Sequence, residues 1–236
     1  MDNRKIDKLE AGILTQEVWN KETPYSEVLT CFEDHGFGDL NEFNAEYKQD
    51  WQPYSHKRVL QKLRRRKYPT IGFRDGENED FFGAISVARN SSSVKITASR
   101  GYCEEHDVHL GQATYFLRVI SETIEKFHHG IIFGEEQPSR FYNENSLSRV
   151  PACFGGCLVW MHFVHPSGYS KYLTREDILG MPAQEIQEWE NGVIQVQMFD
   201  HPFNYDAPEN RQIIIEATKY LNDRRLAFIK ANSLER

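Results

Sequence analysis

At 236 residues the chain is long enough to bury a sizeable core, and 28 Lys and Arg against 35 Asp and Glu give a net charge of −7, which excludes a broadly basic surface for nucleic acid or an anionic membrane. No run approaches the roughly 20 apolar residues of a membrane span, and the opening MDNRKIDKLEAGILTQEVW lacks the apolar core and cleavage site of a signal peptide, so a cytoplasmic location is expected. Cys31, Cys103, Cys153 and Cys157 keep no framework spacing, which fits reduced thiols.

With no low-complexity linker and no repeat of solenoid period, residues 1–236 read as one α+β domain, in which 1–67 form an N-terminal helical layer and 68–236 a sheet with packed helices. Two segments of the first part look helical, Tyr25 to Phe32 and Ser55 to Lys67. In the second, SHKRVLQKLRRRK, only Val59, Leu60 and Leu63 are apolar; the basic face around them could bind phosphate, but a solvated face paired with local acids is the expectation.

FFGAISVA and SSVKITAS then read as a β-hairpin, with Val94, Ile96 and Ala98 alternating against Lys95, Thr97 and Ser99. A helix from about Leu110 to His128 carries Ala113, Phe116, Leu117, Ile120, Ile124 and Phe127 on one side and is expected to pack across the hairpin. GIIFG makes a short strand, and Glu135 to Pro151 is expected as a polar, mobile loop.

PACFGGCLVWMHFVHPSGYS follows, with Cys153, Cys157, His162 and His165 in a spacing whose ligand types suit zinc. From Cys157 to Val164, however, the residues are those of a strand buried on both faces, and on a strand His162 and His165 point apart. A core strand with buried free thiols is expected, without a metal. Thr174 and Asp177 read as a capped turn closed by Gly180, and Met181-Pro182 as the start of a short helix through Trp189. Asn191-Gly192 turns the chain into the strand VIQVQMF. A last helix is expected with Asp206 as N-cap, Pro208 in its first turn, Glu209 at the capping-box position, and Ile213, Ile214, Ala217 and Leu221 buried. The fold class is therefore α+β, a largely antiparallel sheet covered by helices.

One cluster has catalytic residue types: Cys103, His106 and His109 in CEEHDVHLG, where a thiolate beside a histidine could serve a metal- or thiol-dependent hydrolase. No glycine-rich phosphate cradle, H-E-x-x-H or G-x-S-x-G accompanies it, so the chain reads as a non-enzyme without cofactor.

The C-terminal half resembles the immunity protein 52 family of polymorphic-toxin systems. Gly156, Trp160, Pro182, Asn191, Gly192, Phe203, Asn204, Pro208, Ala217 and Leu221 match its pattern over roughly the last 85 residues. Cys157 stands where the family has Trp, and His201-Pro202 where it has an acid. The resemblance implies a non-enzymatic inhibitor that binds a cognate toxin protein, such as a nuclease delivered by type VI secretion; an adaptor of a secretion system stays open beside it. An acidic inhibitor suits a basic nuclease. The expected contacts are Asp75, Glu77, Glu79 and Asp80; Glu104, Glu105 and Asp107; and Glu135, Glu136, Arg140, Phe141 and Tyr142, the last three being types enriched at binding hot spots.

Overall fold

The computed structural model describes residues 8–15, 19, 25–35, 40–45, 50–74, 81–99, 108–124, 127, 129–134 and 138–233. The chain divides into two compact units, Met1–Phe127 and His128–Arg236.

The first unit contains strands β1 (Lys8–Thr15), β2 (Glu42–Ala45), β3 (Gln52–Pro53), β4 (Thr70–Arg74), β5 (Phe81–Val87) and β6 (Ser92–Ser99), in the order β3-β2-β4-β5-β6-β1. Every pairing among them is antiparallel. The expected hairpin is β5–β6, with Val94 and Ile96 buried and Lys95 and Thr97 half-buried. Helices α1 (Tyr25–His35), α2 (His56–Arg65) and α3 (Val108–Thr123) accompany the sheet.

The helical layer expected for 1–67 is corrected here. Three of the six strands come from that segment, and β1 lies along β6 from Lys8↔Ser99 to Thr15↔Ser92. The cause is a period of two: Leu9, Ala11, Ile13 and Thr15 are buried and alternate with half-buried Glu10, Gly12 and Leu14. Phe32 of α1 shows how a helix meets this sheet, its ring 5.2 Å from Phe73 and 5.0 Å from Phe116. Gly83 makes the room, since a Cβ there would lie 2.8 Å from the Phe32 ring. On α3, Ala113, Phe116, Leu117 and Ile120 form the buried stripe; the helix ends at Thr123, short of the expected His128.

In the second unit β7 (His129–Gly134), β8 (Met161–Val164), β9 (Glu185–Glu188) and β10 (Ile194–Gln197) lie in the order β7-β8-β10-β9, again antiparallel. Around them are α4 (Pro138–Glu144), α5 (Pro166–Tyr169), α6 (Arg175–Leu179) and the long α7 (Pro208–Ser233). The whole of β8 is buried, as its composition requires. It starts only at Met161, because Cys153 lies in a 3-10 turn, Ala152–Phe154, which Gly155 (φ 73°) and Gly156 (φ 86°) close in the left-handed region.

Three further expectations are revised. Residues 138–144, expected within a loop, form α4, whose Phe141 and Tyr142 are buried. The helix expected from Met181 to Trp189 is instead the edge strand β9, because the Asn191-Gly192 turn returns the chain against it; Gly192 has φ 78°, and the Trp189 N–H donates to the Val193 carbonyl at 2.8 Å. Helix α7 starts at Pro208, so Asp206 lies before its cap and pairs with Arg211 at 2.5 Å, and Ile213 is only half-buried. The Thr174 capping box is present as expected, with Asp177 N–H donating to Thr174 Oγ1 at 3.1 Å and Thr174 N–H to Asp177 Oδ2 at 2.9 Å. No helix among the described residues is long and apolar enough to cross a membrane.

Candidate functional site

Of the twelve expected contact residues, Asp75, Glu77, Glu79, Asp80, Glu104, Glu105, Asp107, Glu135 and Glu136 lie outside the described residues. Arg140 does reach solvent, its side chain 71% exposed, and its Nε donates to Glu144 Oε1 at 2.6 Å one helical turn on. That carboxylate raises the guanidinium pKa further.

Phe141 and Tyr142 turn the other way, which corrects their assignment to a contact surface. The Phe141 ring meets Tyr205 edge-on at 5.6 Å. The Tyr142 hydroxyl lies 2.8 Å from Thr218 Oγ1 and accepts the Leu158 N–H at 3.0 Å. Burial pushes the phenol up to about 12. A run of Arg, Phe and Tyr has hot-spot composition, but α4 is amphipathic, and its aromatic pair is what fastens it to the unit's core.

The cysteine-histidine motif is dispersed by the fold. Cys153 is fully buried, and burial raises its thiol to about 12, too high for a ready thiolate. Cys157 accepts from the Arg149 guanidinium, which also lies over the Tyr142 ring at 5.7 Å. His162 is wholly enclosed; its Nε2 accepts the Val159 N–H at 2.9 Å, while Nδ1 has no hydrogen-bond partner among the described residues. His165 caps α5 instead, its Nδ1 accepting the Ser167 N–H at 3.1 Å. Among the described residues no three His, Cys, Asp or Glu side chains gather as a metal ion would need. Cys103 and His106 lie outside the described residues, and His109 is placed only by its backbone, in the first turn of α3.

Two features of the first unit escaped the sequence reading. The first is a chain of hydrogen bonds joining α1 and α2. Ser26 Oγ is 3.1 Å from His56 Nε2, His56 Nδ1 is 3.0 Å from Glu33 Oε1, and the Tyr54 hydroxyl donates to the same carboxylate at 2.7 Å. Hydroxyl, imidazole and carboxylate in this order can activate a serine, and the same bonds can brace two helices. Their separations in sequence, 30 and 23 residues, give no local motif to recognise.

The second is the basic face of α2. Val59 and Leu63 are buried, as the narrow stripe predicts, but the expected pairing with local acids is absent. Lys57, Arg58, Arg64 and Arg65 are exposed and make no ion pair among the described residues.

The chain matches no protein-family model and no curated protein. Among solved structures it is similar to the Pseudomonas aeruginosa T6SS protein PA0821, with a TM-score of 0.62 at 11% sequence identity, covering 93% of this chain and 73% of that one. At that identity the likeness is one of fold.

Proposed function

We propose that this chain is a non-enzymatic immunity protein, which binds and neutralises a cognate toxin of a bacterial secretion system, with a nuclease as the toxin class that best suits its acidic charge. The observation that carries the reading is the likeness in fold to a T6SS protein over 93% of the chain. The immunity protein 52 resemblance agrees with it. Its matched residues serve as fold positions, with Trp160 in the core, Gly192 in the β9–β10 turn and Pro208 at the first position of α7. Such a protein needs no cofactor and acts in the cytoplasm, where it meets the incoming toxin before damage is done.

The test is survival and binding. The chain is co-expressed with the product of the reading frame next to its gene, and the two purified proteins are mixed and sized. Rescue of growth with a stable complex supports neutralisation by contact. Complex formation without rescue points to an adaptor of the secretion system instead.

A hydrolytic reading has one observation in its favour, the Ser26–His56–Glu33 chain. An active-site-directed fluorophosphonate would label Ser26, and not the Ser26→Ala variant, if that chain activates the hydroxyl. An unlabelled protein leaves the three residues as a brace between α1 and α2.

A further inference from the structure

Toxin capture by acidic loops leaves the basic face of α2 without a role. From Trp51 to Arg74 the sequence has no Asp or Glu, and these 24 residues hold eight of the chain's 28 Lys and Arg. The other 212 residues carry 20 Lys and Arg against all 35 Asp and Glu. Positive charge is therefore concentrated on one helix and its C-terminal flank in a chain that is acidic elsewhere.

The helix arrays that charge in one direction. At about 100° per residue, Lys57, Arg58, Gln61, Arg64 and Arg65 occupy an arc about 120° wide, centred opposite Val59 and Leu63, and the arc extends about 12 Å along the axis. All five are exposed.

Helix stability accounts for only part of this pattern. Arg64 and Arg65 lie in the last turn, where the helix dipole favours cations. Lys57 and Arg58 lie in the first turn, which has no acidic residue, and there the dipole disfavours them. Arg58 also stands one turn from Lys62, a like charge at i, i+4. These first-turn cations thus oppose the local electrostatics of their own helix, and no neighbouring acid among the described residues neutralises them.

We propose that this face of α2 is a docking surface for an acidic segment of a partner protein, separate from the toxin contact and independent of that reading. Arginine forks grip carboxylates in pairs, which suits Asp and Glu side chains. Tyr68, 42% exposed and with Lys67 5.3 Å above its ring, adds an aromatic contact at the end of the helix. The size of the patch selects a short segment. Beyond about 8 Å, the screening length at physiological salt, an extended polyanion such as nucleic acid or a lipid surface meets the acidic remainder of the chain and is repelled.

The probe is a fluorescein-labelled ten-residue peptide alternating Glu and Ser, followed by anisotropy with the full chain at about 50 and 150 mM salt, a range over which screening changes markedly. The expected result is saturable binding that weakens with salt, falls at least tenfold in Lys57→Glu/Arg58→Glu, and is unchanged in the control Lys219→Glu/Lys230→Glu on α7. Because acids suit the first turn of a helix, the melting temperature of the α2 variant should stay level or rise. Four results would each overturn the proposal: no peptide binding at the lower salt; equal binding by wild type and α2 variant; a melting temperature lowered by several degrees in that variant, which would make the cations part of the fold; or tighter binding of a ten-nucleotide thymidine oligomer or of phosphatidylserine vesicles than of the peptide.

Discussion

His162 is the residue where enclosure has the clearest thermodynamic consequence. Burial, and secondarily the charge of His129, holds its imidazole down to about 3. In the unfolded chain the same group titrates near about 6.5. As pH falls below that ordinary value the unfolded state takes up a proton that the native state refuses, so stability is lost from about pH 6.5 toward pH 3, at up to about 1.4 kcal/mol per pH unit. Between pH 7 and pH 5 this amounts to about 2 kcal/mol, read as a drop in urea midpoint. His162→Gln, which can still accept from Val159 but does not titrate, should lose most of that slope; an equal slope in the variant would place the acid sensitivity elsewhere. Trp160, two positions earlier, acts through volume. It is 5% exposed and its Nε1–H donates to the Phe199 carbonyl at 2.8 Å. Trp160→Ala should therefore cost about 3 to 5 kcal/mol, seen by calorimetry, and partner binding should fail only through unfolding. An unchanged melting temperature with lost binding would make Trp160 a contact residue.

Among the elements, glycines of opposite circumstance separate turn chemistry from helix propensity. Gly192 closes the β9–β10 hairpin at φ 78°, and a Cβ there would come 3.4 Å from Pro166. Gly192→Ala should destabilise by about 1 to 2 kcal/mol through backbone strain at the positive φ. Gly111 sits in the first turns of α3, exposed, with nothing within 4 Å of an added Cβ. Gly111→Ala should stabilise by about 0.5 to 1 kcal/mol, because alanine loses less backbone entropy in a helix. Thermal melts of the two variants should move in opposite directions. A hairpin turn also explains why β9 is not helical. Glu, Gln and Ala around Glu185–Glu188 favour a helix locally, yet the antiparallel register Ile194↔Glu188 to Gln197↔Glu185 decides the segment. Glu185 and Glu188 then serve an edge strand, where charge discourages pairing with another chain. Arg175 of α6 holds Glu188 through two hydrogen bonds, and this keeps the Glu188 carboxyl below its usual range.

For the whole molecule the governing quantity is charge and how it is divided. A net −7 that gathers its cations on one helix leaves the rest acidic enough to attract a basic toxin. Reversing Glu135 and Glu136 to Lys should slow association with such a toxin and make the rate less sensitive to salt. The melting temperature should hold. Stopped-flow mixing at two salt concentrations reads the effect; an unchanged association rate with faster dissociation would show that these acids form specific contacts and do not steer.

What the sequence determined by itself is what local periodicity and capping chemistry control. The β5–β6 hairpin follows from alternation, the stripe of α3 from helical spacing, the turn at Gly192 from Asn-Gly, and the Thr174 capping box from a three-residue interval. The period-two pattern of Leu9, Ala11 and Ile13 is equally local, but a charged opening obscured it. Only the tertiary structure decided which side of α4 faces inward, that β9 pairs with β10, and that Cys153, Cys157, His162 and His165 go to four different environments. It alone joined Ser26, Glu33 and His56 across 23 and 30 residues, and left Lys57, Arg58, Arg64 and Arg65 without acids to pair with. The physical reason is range: periodicity and capping act within a few residues, whereas burial, charge pairing and strand register depend on which distant segments the packed chain brings together.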